Sequence, residues 1–354
     1  GDISKWIKFA HGVIVRNLSS LSNKSDFLEK YADELIEAAG KSLQTSADDA
    51  MVEMEGGSGS VPFPDYNNFW GTQRGNLSTI YYQHDYMVQI MTGTIPKYGT
   101  DGQRIKQTTP PNPYYQYELL EKQYIADTLI SLPGHYDPRV AVKLSTDSDP
   151  EYLYIDDPDS VKAHQYYGGR NNTTRTNPAG IKTTPHLYGR TTTVKNSTTS
   201  LPNDGIGRWL FRDNAPYVLM TAAEIKLCLA EAYWKKGNKG AAYTAFKEGV
   251  RNDLDFTVTP LYPGTKGVIG GGDKVTKSVY SALANEYYAG PYVEGLGEGN
   301  LTLSHIMLQK FISLYPWGGI EAWTDLRKYH YDIQYTGDYP SKGNGWDDTR
   351  LIEV

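Results

Sequence analysis

Cysteine is almost missing. Cys228 stands alone in 354 residues, which excludes an internal disulfide and any CxxC metal or redox site. Its place within an apolar helical run reads as a small buried hydrophobe. Long apolar runs are missing too, so no helix able to cross a bilayer is expected. Basic charge is in short supply: 35 Lys and Arg face 41 Asp and Glu, a formal net charge of −6. A nucleic-acid surface needs clustered positive charge, so that class is set aside. No HExxH, GxSxG or P-loop occurs. Residues 267–274 are glycine-rich but lack the Gly-Lys-Ser/Thr ending that a phosphate cradle requires, and no strand precedes Gly295-Leu296-Gly297-Glu298-Gly299. The seven histidines, His11, His84, His135, His164, His186, His305 and His330, never fall four apart on one helix face. No metal and no cofactor are therefore expected. A starting Met and a signal-like leader are absent from the first residues, so the chain is expected to lack the N-terminal part of its parent protein.

Phenylalanine is scarce, with 8 Phe against 29 Tyr. A surplus of Tyr puts aromatic area where one end of the ring stays wet, at surfaces, grooves and interfaces. Apolar periodicity predicts helices over 2–21 and 25–39, the first from Ile3, Trp6, Ile7, Ala10, Val13, Ile14, Leu18 and Leu21, the second ended by Gly40. Residues 41–80 read as irregular, with short helices near 84–92 and 118–131. Residues 133–215 are rich in Gly, Pro, Asn and Thr yet keep their aromatics, which argues for an ordered, irregular binding face rather than disorder. Helices return at 221–236 and 238–251 as a tight hairpin, followed by a Gly-rich loop over 256–274. Further helices are predicted near 276–289, 300–314 and 319–329, and an irregular tail from 335 onward.

The hairpin at 221–251 carries small and large residues at tetratricopeptide-repeat (TPR) spacing: Leu229, Ala230 and Tyr233, then Ala242, Phe246 and Gly249. Only one such copy is visible, and TPR stacks need several. Carboxylate pairs are the one catalytic option, because a glycosidase needs two across a sugar. Glu224 and Glu231 share a helix face, and Asp156, Asp157, Asp159, Asp347 and Asp348 sit in loops. With 41 acidic residues such pairs arise by chance, and capping or ion pairing explains Glu224 and Glu231 better. The Asn-x-Ser/Thr sequons at Asn17, Asn23, Asn76, Asn171, Asn172, Asn196 and Asn300 follow from an Asn/Thr-rich composition.

Four segments, in order, carry a resemblance. Asp2-Ile3-Ser4-Lys5-Trp6-Ile7-Lys8-Phe9-Ala10 continues to Arg16 and Leu18. Asn112-Pro113-Tyr114-Tyr115 precedes Ala126-Asp127-Thr128-Leu129 and Asp137-Pro138-Arg139. Ala215-Pro216-Tyr217-Val218-Leu219-Met220-Thr221-Ala222-Ala223-Glu224-Ile225 runs into Leu229-Ala230-Glu231-Ala232. Gln309-Lys310-Phe311-Ile312 is followed by Glu321-Ala322-Trp323-Thr324-Asp325-Leu326-Arg327. Together they resemble the SusD/RagB family of outer-membrane nutrient-binding lipoproteins. Two positions depart from its pattern: His11 where Asn is usual, and Lys328 where a second Arg is common.

The resemblance implies a mainly α protein with a SusD-like fold, TPR-like helical hairpins and long irregular ligand-binding loops. It implies one domain over 1–354, without its N-terminal portion and lipid-bearing cysteine. The implied role is cell-surface binding of oligosaccharides or related nutrients at the outer membrane, for delivery to a SusC-like TonB-dependent transporter, without catalysis. The hairpin would face the transporter, and the loops from 62 to 210 would hold the ligand. Glu321, Trp323 and Arg327 read as structural, with Trp323 in the core and Arg327 paired to a carboxylate.

Sugars offer apolar CH faces and a polar rim, so exposed aromatics beside amides or Arg are the residues sought. Asn68, Trp70 and Arg74 form the leading cluster, followed by Tyr81 and Tyr82, Tyr114 and Tyr115, Tyr166 and Tyr167, Trp209 and Trp317. Two other readings stay open: a TPR-type protein-interaction scaffold, and a glycoside hydrolase.

Overall fold

The structure, a computed structural model, describes residues 2–54, 68, 87, 91, 137–144, 210, 215–258 and 277–329. These are mainly helical, as expected. The helices are α1 (Ile3–Ser19), α2 (Phe27–Lys30), α3 (Ala32–Lys41), α4 (Arg139–Lys143), α5 (Ala222–Lys235), α6 (Lys239–Val258), α7 (Lys277–Ala289), α8 (Leu303–Leu314) and α9 (Gly319–Lys328). Two short strands, β1 (Ala50–Val52) and β2 (Tyr217–Met220), form a two-stranded sheet. The chain divides into two compact units. The first comprises residues 1–50, 218–256 and 293–354, and the second residues 51–217 and 257–292.

The first unit is built around α5. Thr221 starts this helix by accepting the Glu224 N–H on its side chain at 3.3 Å. Asp49 accepts the Ala222 N–H at 2.7 Å, so two of the free N–H groups at the helix start are satisfied from different parts of the chain. Ala222, Ala223, Ile225, Leu227, Cys228, Ala230 and Ala232 are all buried, and so are Glu224, Lys226 and Glu231, so α5 is covered nearly all round, as a central helix is. It packs against α1, α3 and α8, while α1 packs on α3 and α8 on α9. Val15, Phe27, Leu35, Leu43, Met220, Ile225 and Cys228 share the core. Cys228 is the small buried hydrophobe expected of it.

The hairpin turn works through Gly237, whose φ of +76° is a left-handed conformation that costs a side-chain-bearing residue. Gly249 lets α6 approach α5 closely: a Cβ there would lie 2.6 Å from Leu227 Cγ. Ala230, Ala242 and Phe246 are buried between the helices, as the TPR-like spacing predicts, and Tyr233 is half-buried. α6 continues to Val258, seven residues beyond the predicted end and into the segment read as loop.

Two other expectations need correction. The predicted helix over 25–39 is two, interrupted at Tyr31, and α3 runs through Gly40 to Lys41, because no left-handed residue stops it. Most of the predicted apolar stripe of α1 does not face the core, although Leu18 and Leu21 at its end pack against it. Gly12, Val15 and Ser19 are buried instead, while Ile3, Trp6 and Ile7 are 74, 66 and 54 % exposed and Val13 and Ile14 are also exposed.

In the second unit, α4 falls within the stretch 133–215 that reads as irregular, so that stretch holds at least one helical turn. Arg139, fully buried, donates to Asp137 at 2.7 Å. Its guanidinium lies 5.5 Å from the Tyr287 ring centroid, and Tyr287 stacks on Tyr292 at 6.2 Å. Met87 and Met91 are helical and buried, within the predicted 84–92 helix. The predicted 118–131 helix and the tail from 335 lie outside the described residues.

Candidate functional site

Glu224 and Glu231 lie seven residues apart on α5, so a helix of 3.6 residues per turn puts both on one face. Both are buried. Around them the charged residues of three distant segments meet, and every partner is in the first unit.

Arg16 of α1 makes a two-pronged contact with Glu224: its Nε donates to Oε1 and its Nη2 to Oε2, each at 2.7 Å. Nη2 also donates to the Leu219 carbonyl at 2.8 Å, and Nη1 lies 3.2 Å from Glu321 of α9. Burial pushes the Glu224 carboxyl above its usual range, and Arg16 only partly offsets it.

Glu231 sits in a denser cluster. The Lys328 ammonium is 2.8 Å from Oε1, and that of Lys310 is 3.9 Å from Oε2. The Ser22 and Tyr329 hydroxyls donate to Oε1, and the Ser19 hydroxyl reaches Oε2 at 3.3 Å. Asp325 accepts from both lysines, at 2.9 Å each. Lys328 also donates to the Ser19 carbonyl at 3.0 Å, and Asn23 donates to the Lys328 carbonyl at 2.6 Å. Burial alone would raise the Glu231 pKa. Lys328 and Lys310 outweigh it and hold the carboxyl down at about 2. Burial likewise opposes the charge on Lys310, and Asp325 and Glu231 overturn it, so its pKa lies well above the usual value. Burial and the neighbouring Glu231 charge push the Tyr329 phenol far up, so it stays a donor.

This arrangement holds helices together and does no chemistry. Both α5 carboxylates are out of reach of solvent and occupied by donors, so neither can act as the acid or the nucleophile of a glycosidase pair. Among the described residues no group of three or more His, Cys, Asp or Glu could hold a metal ion. Among them, too, no helix is long and apolar enough to cross a membrane.

Of the signature residues near the C-terminal end of the sequence, Glu321 takes the expected role and Trp323 and Arg327 do not. Glu321 is structural, through Arg16. Trp323 is not core: it is 52 % exposed. Arg327, also exposed, lies over the Trp323 ring at 4.9 Å from its centroid. Lys328, one residue on, is the cation that meets the carboxylates, because its position on α9 points inward with Asp325 three residues before it. Lys310, Lys328, Ser19, Ser22 and Tyr329 were not singled out as a group by sequence. The available signal was a lysine inside an apolar helical run, Leu308-Gln309-Lys310-Phe311-Ile312.

Of the residues proposed to touch ligand, Asn68 is buried and its amide donates to the Ala215 and Pro216 carbonyls at 2.9 and 3.3 Å, within the second unit. Trp317 follows a cis Tyr315–Pro316 bond. It is half-buried, and its indole N–H is buried without a hydrogen-bond partner. Trp70, Arg74, Tyr81, Tyr82, Tyr114, Tyr115, Tyr166, Tyr167 and Trp209 lie outside the described residues.

Comparison with known proteins gives a family. The SusD-like family, described as Susd and RagB outer membrane lipoprotein, matches residues 100–352. The structure is similar to a SusD homologue from Bacteroides fragilis NCTC 9343, with 17 % identity over 95 % of this chain and 58 % of that one, and a TM-score of 0.50. It is also similar to a SusD/RagB family protein from Bacteroides thetaiotaomicron VPI-5482, with 16 % identity over 97 % of this chain and 56 % of that one, and a TM-score of 0.48. The chain thus spans a little over half the length of these solved structures. No curated protein matches it.

Proposed function

The chain belongs to the SusD-like family, and on that premise we propose that it is the binding part of a cell-surface lipoprotein that captures oligosaccharides or related nutrients and passes them to a SusC-like TonB-dependent transporter of the outer membrane. It does so without catalysis. The observation that carries this reading is the family match over residues 100–352, which takes in the Tyr-rich stretch as well as α5 to α9.

Large aromatics supply contact area at little rotamer cost, and amides and guanidinium groups fix hydroxyls. Trp70 with Arg74, the Tyr81–Tyr82, Tyr114–Tyr115 and Tyr166–Tyr167 pairs, and Trp209 are the proposed contacts. Trp317 stands apart from them, in the first unit, with its indole N–H buried. Asn68 is proposed to act indirectly, since its amide already holds backbone at 215 and 216.

The test is a glycan-array screen followed by calorimetry on the full chain. Binding of at least one oligosaccharide is expected, with Trp70→Ala weakening it about tenfold, the scale of one stacking contact. Release of shorter sugars at enzymatic rates would overturn the reading in favour of a hydrolase. Failure to bind any glycan or peptide would favour a protein-interaction scaffold.

A further inference from the structure

Glu224, Glu231, Asp325 and Asp48 of the first unit are each met by a cation: Arg16, Lys328, Lys310 and Lys8. Asp49 is met by none among the described residues. It follows the 3-10 turn Ser46–Asp48 and precedes β1. Its Oδ1 accepts the Ala222 N–H at the start of α5 at 2.7 Å, and its Oδ2 is buried without a hydrogen-bond partner. The charges that act on it are both negative: Asp253 of α6, fully buried, and then Asp48. The cations of the surrounding elements are committed elsewhere. Lys8 of α1 pairs with Asp48, Arg16 of α1 with Glu224, and Lys226 of α5 with Glu248 and the Gln44 side-chain oxygen.

An anion at Asp49 would rest on one neutral N–H, with a bare buried oxygen near a second acid. The start of α5 favours an anion, but that pull is weaker than the desolvation of a buried charge. The neutral acid avoids this cost. It keeps Oδ1 as the acceptor for Ala222 and carries its proton on Oδ2, the oxygen that no donor approaches. We propose that Asp49 is a pH-sensitive fastener: as the neutral acid it ties the chain before β1 to the start of α5, and its ionisation loosens that tie.

Burial first, then Asp253 and Asp48, push its pKa well above the ordinary 3.8, against the lowering by the Ala222 N–H. A raised folded pKa means that the tie is whole below 3.8 and is lost as pH rises through the folded value. The place gives the fastener its reach. Asp49, Ala222 and Asp253 each stand within five residues of a point where the chain passes from one compact unit to the other, at 50–51, 217–218 and 256–257. The proposal is independent of ligand binding.

A carboxyl-carbon NMR titration of the full chain tests it, with the Asp49 signal assigned by its loss in Asp49→Asn. The wild-type Asp49 midpoint is expected above the ordinary carboxylate value. Amide hydrogen exchange in β1 and the first turn of α5, corrected for the intrinsic effect of pH, is expected to quicken as pH passes that midpoint. Asp49→Asn carries an amide N–H where the acid carries its proton. It is expected to unfold at the same urea concentration as the wild type below the midpoint, and to show no quickening above it. An Asp49 midpoint at or below the ordinary value overturns the proposal, and the wild-type titration alone decides this. So does exchange that stays constant through the midpoint, or an Asp49→Asn chain that keeps the wild-type quickening.

Discussion

Glu224 and Glu231 are the same residue type on the same face of the same helix, both buried, and their surroundings treat them in opposite ways. Glu224 faces one guanidinium, and burial wins: its carboxyl is harder to ionise than in water. Glu231 faces two ammonium groups and three hydroxyls, and these win: it is ionised down to about 2. Burial is common to both, so the number of partners decides the sign. The comparison also separates two kinds of anchoring. The Arg16 contact ties α1 to α5 and α9 in pairs. The Glu231 cluster locks Ser19, Ser22, Lys310, Asp325, Lys328 and Tyr329 into one arrangement that fails as a unit.

The largest expected effect breaks that unit. Glu231→Gln leaves the buried Lys310 and Lys328 with a single carboxylate between them, the partly exposed Asp325, and should cost about 3–5 kcal/mol by urea denaturation. Adding Lys328→Met is expected to recover part of this loss, since removing both partners is cheaper than removing one. An equal loss in the single and double variants would show that Lys328 contributes nothing through its charge.

A pH series sharpens the contrast. The folded Glu231 pKa of about 2 lies below its ordinary 4.5, so its contribution is complete above pH 4.5 and is lost as pH falls toward 2. The loss should be on the order of 3 kcal/mol across that window. Glu224 has the opposite sign: its folded pKa is raised, so its contribution is complete below 4.5 and fades as pH rises through the folded value. Stability of the wild type should therefore fall on acidification, and the Glu231→Gln variant should show a flatter acid limb. Parallel acid limbs in the two proteins would contradict the assignment.

The smallest of the three effects comes from Arg16→Gln. Glu224 loses one cationic partner where Glu231 has two, and the Gln amide can still donate to it, so the cost should be about 1–2 kcal/mol, less than the loss at Glu231. A cost equal to that of Glu231→Gln would erase the distinction between the two carboxylates.

Sequence reading found what depends on local pattern. Helix positions from α5 to α9, the close approach at Gly249 and the burial of Cys228 all follow from spacing and residue size. Directions were harder. Periodicity showed that α1 has an apolar stripe but not which way it points, because spacing does not say which face the neighbouring helices cover, and here they cover Gly12, Val15 and Ser19. Lys328 rather than Arg327 meets the carboxylates because of where α9 rests on α8, which no residue count within α9 reveals. Arg139 could not be read as buried, since a charged residue goes inside only when a partner such as Asp137 comes with it. The proposed ligand contacts rest on composition, with Asn68 and Trp317 alone among the described residues.

The Glu231 cluster has a consequence for how the unit folds. Ser22 and Glu231 are 209 residues apart in sequence, and Ser19 and Lys328 are 309 apart. Contacts at such separation close late and slowly, because large loops must be brought together before any of them contributes. During synthesis α5 emerges with an unneutralised carboxylate and waits for the segment around residues 310–329. Until that segment arrives, the contacts of α1 with α5 leave Glu231 without its lysines, so the first unit should reach its native stability as one late, cooperative event.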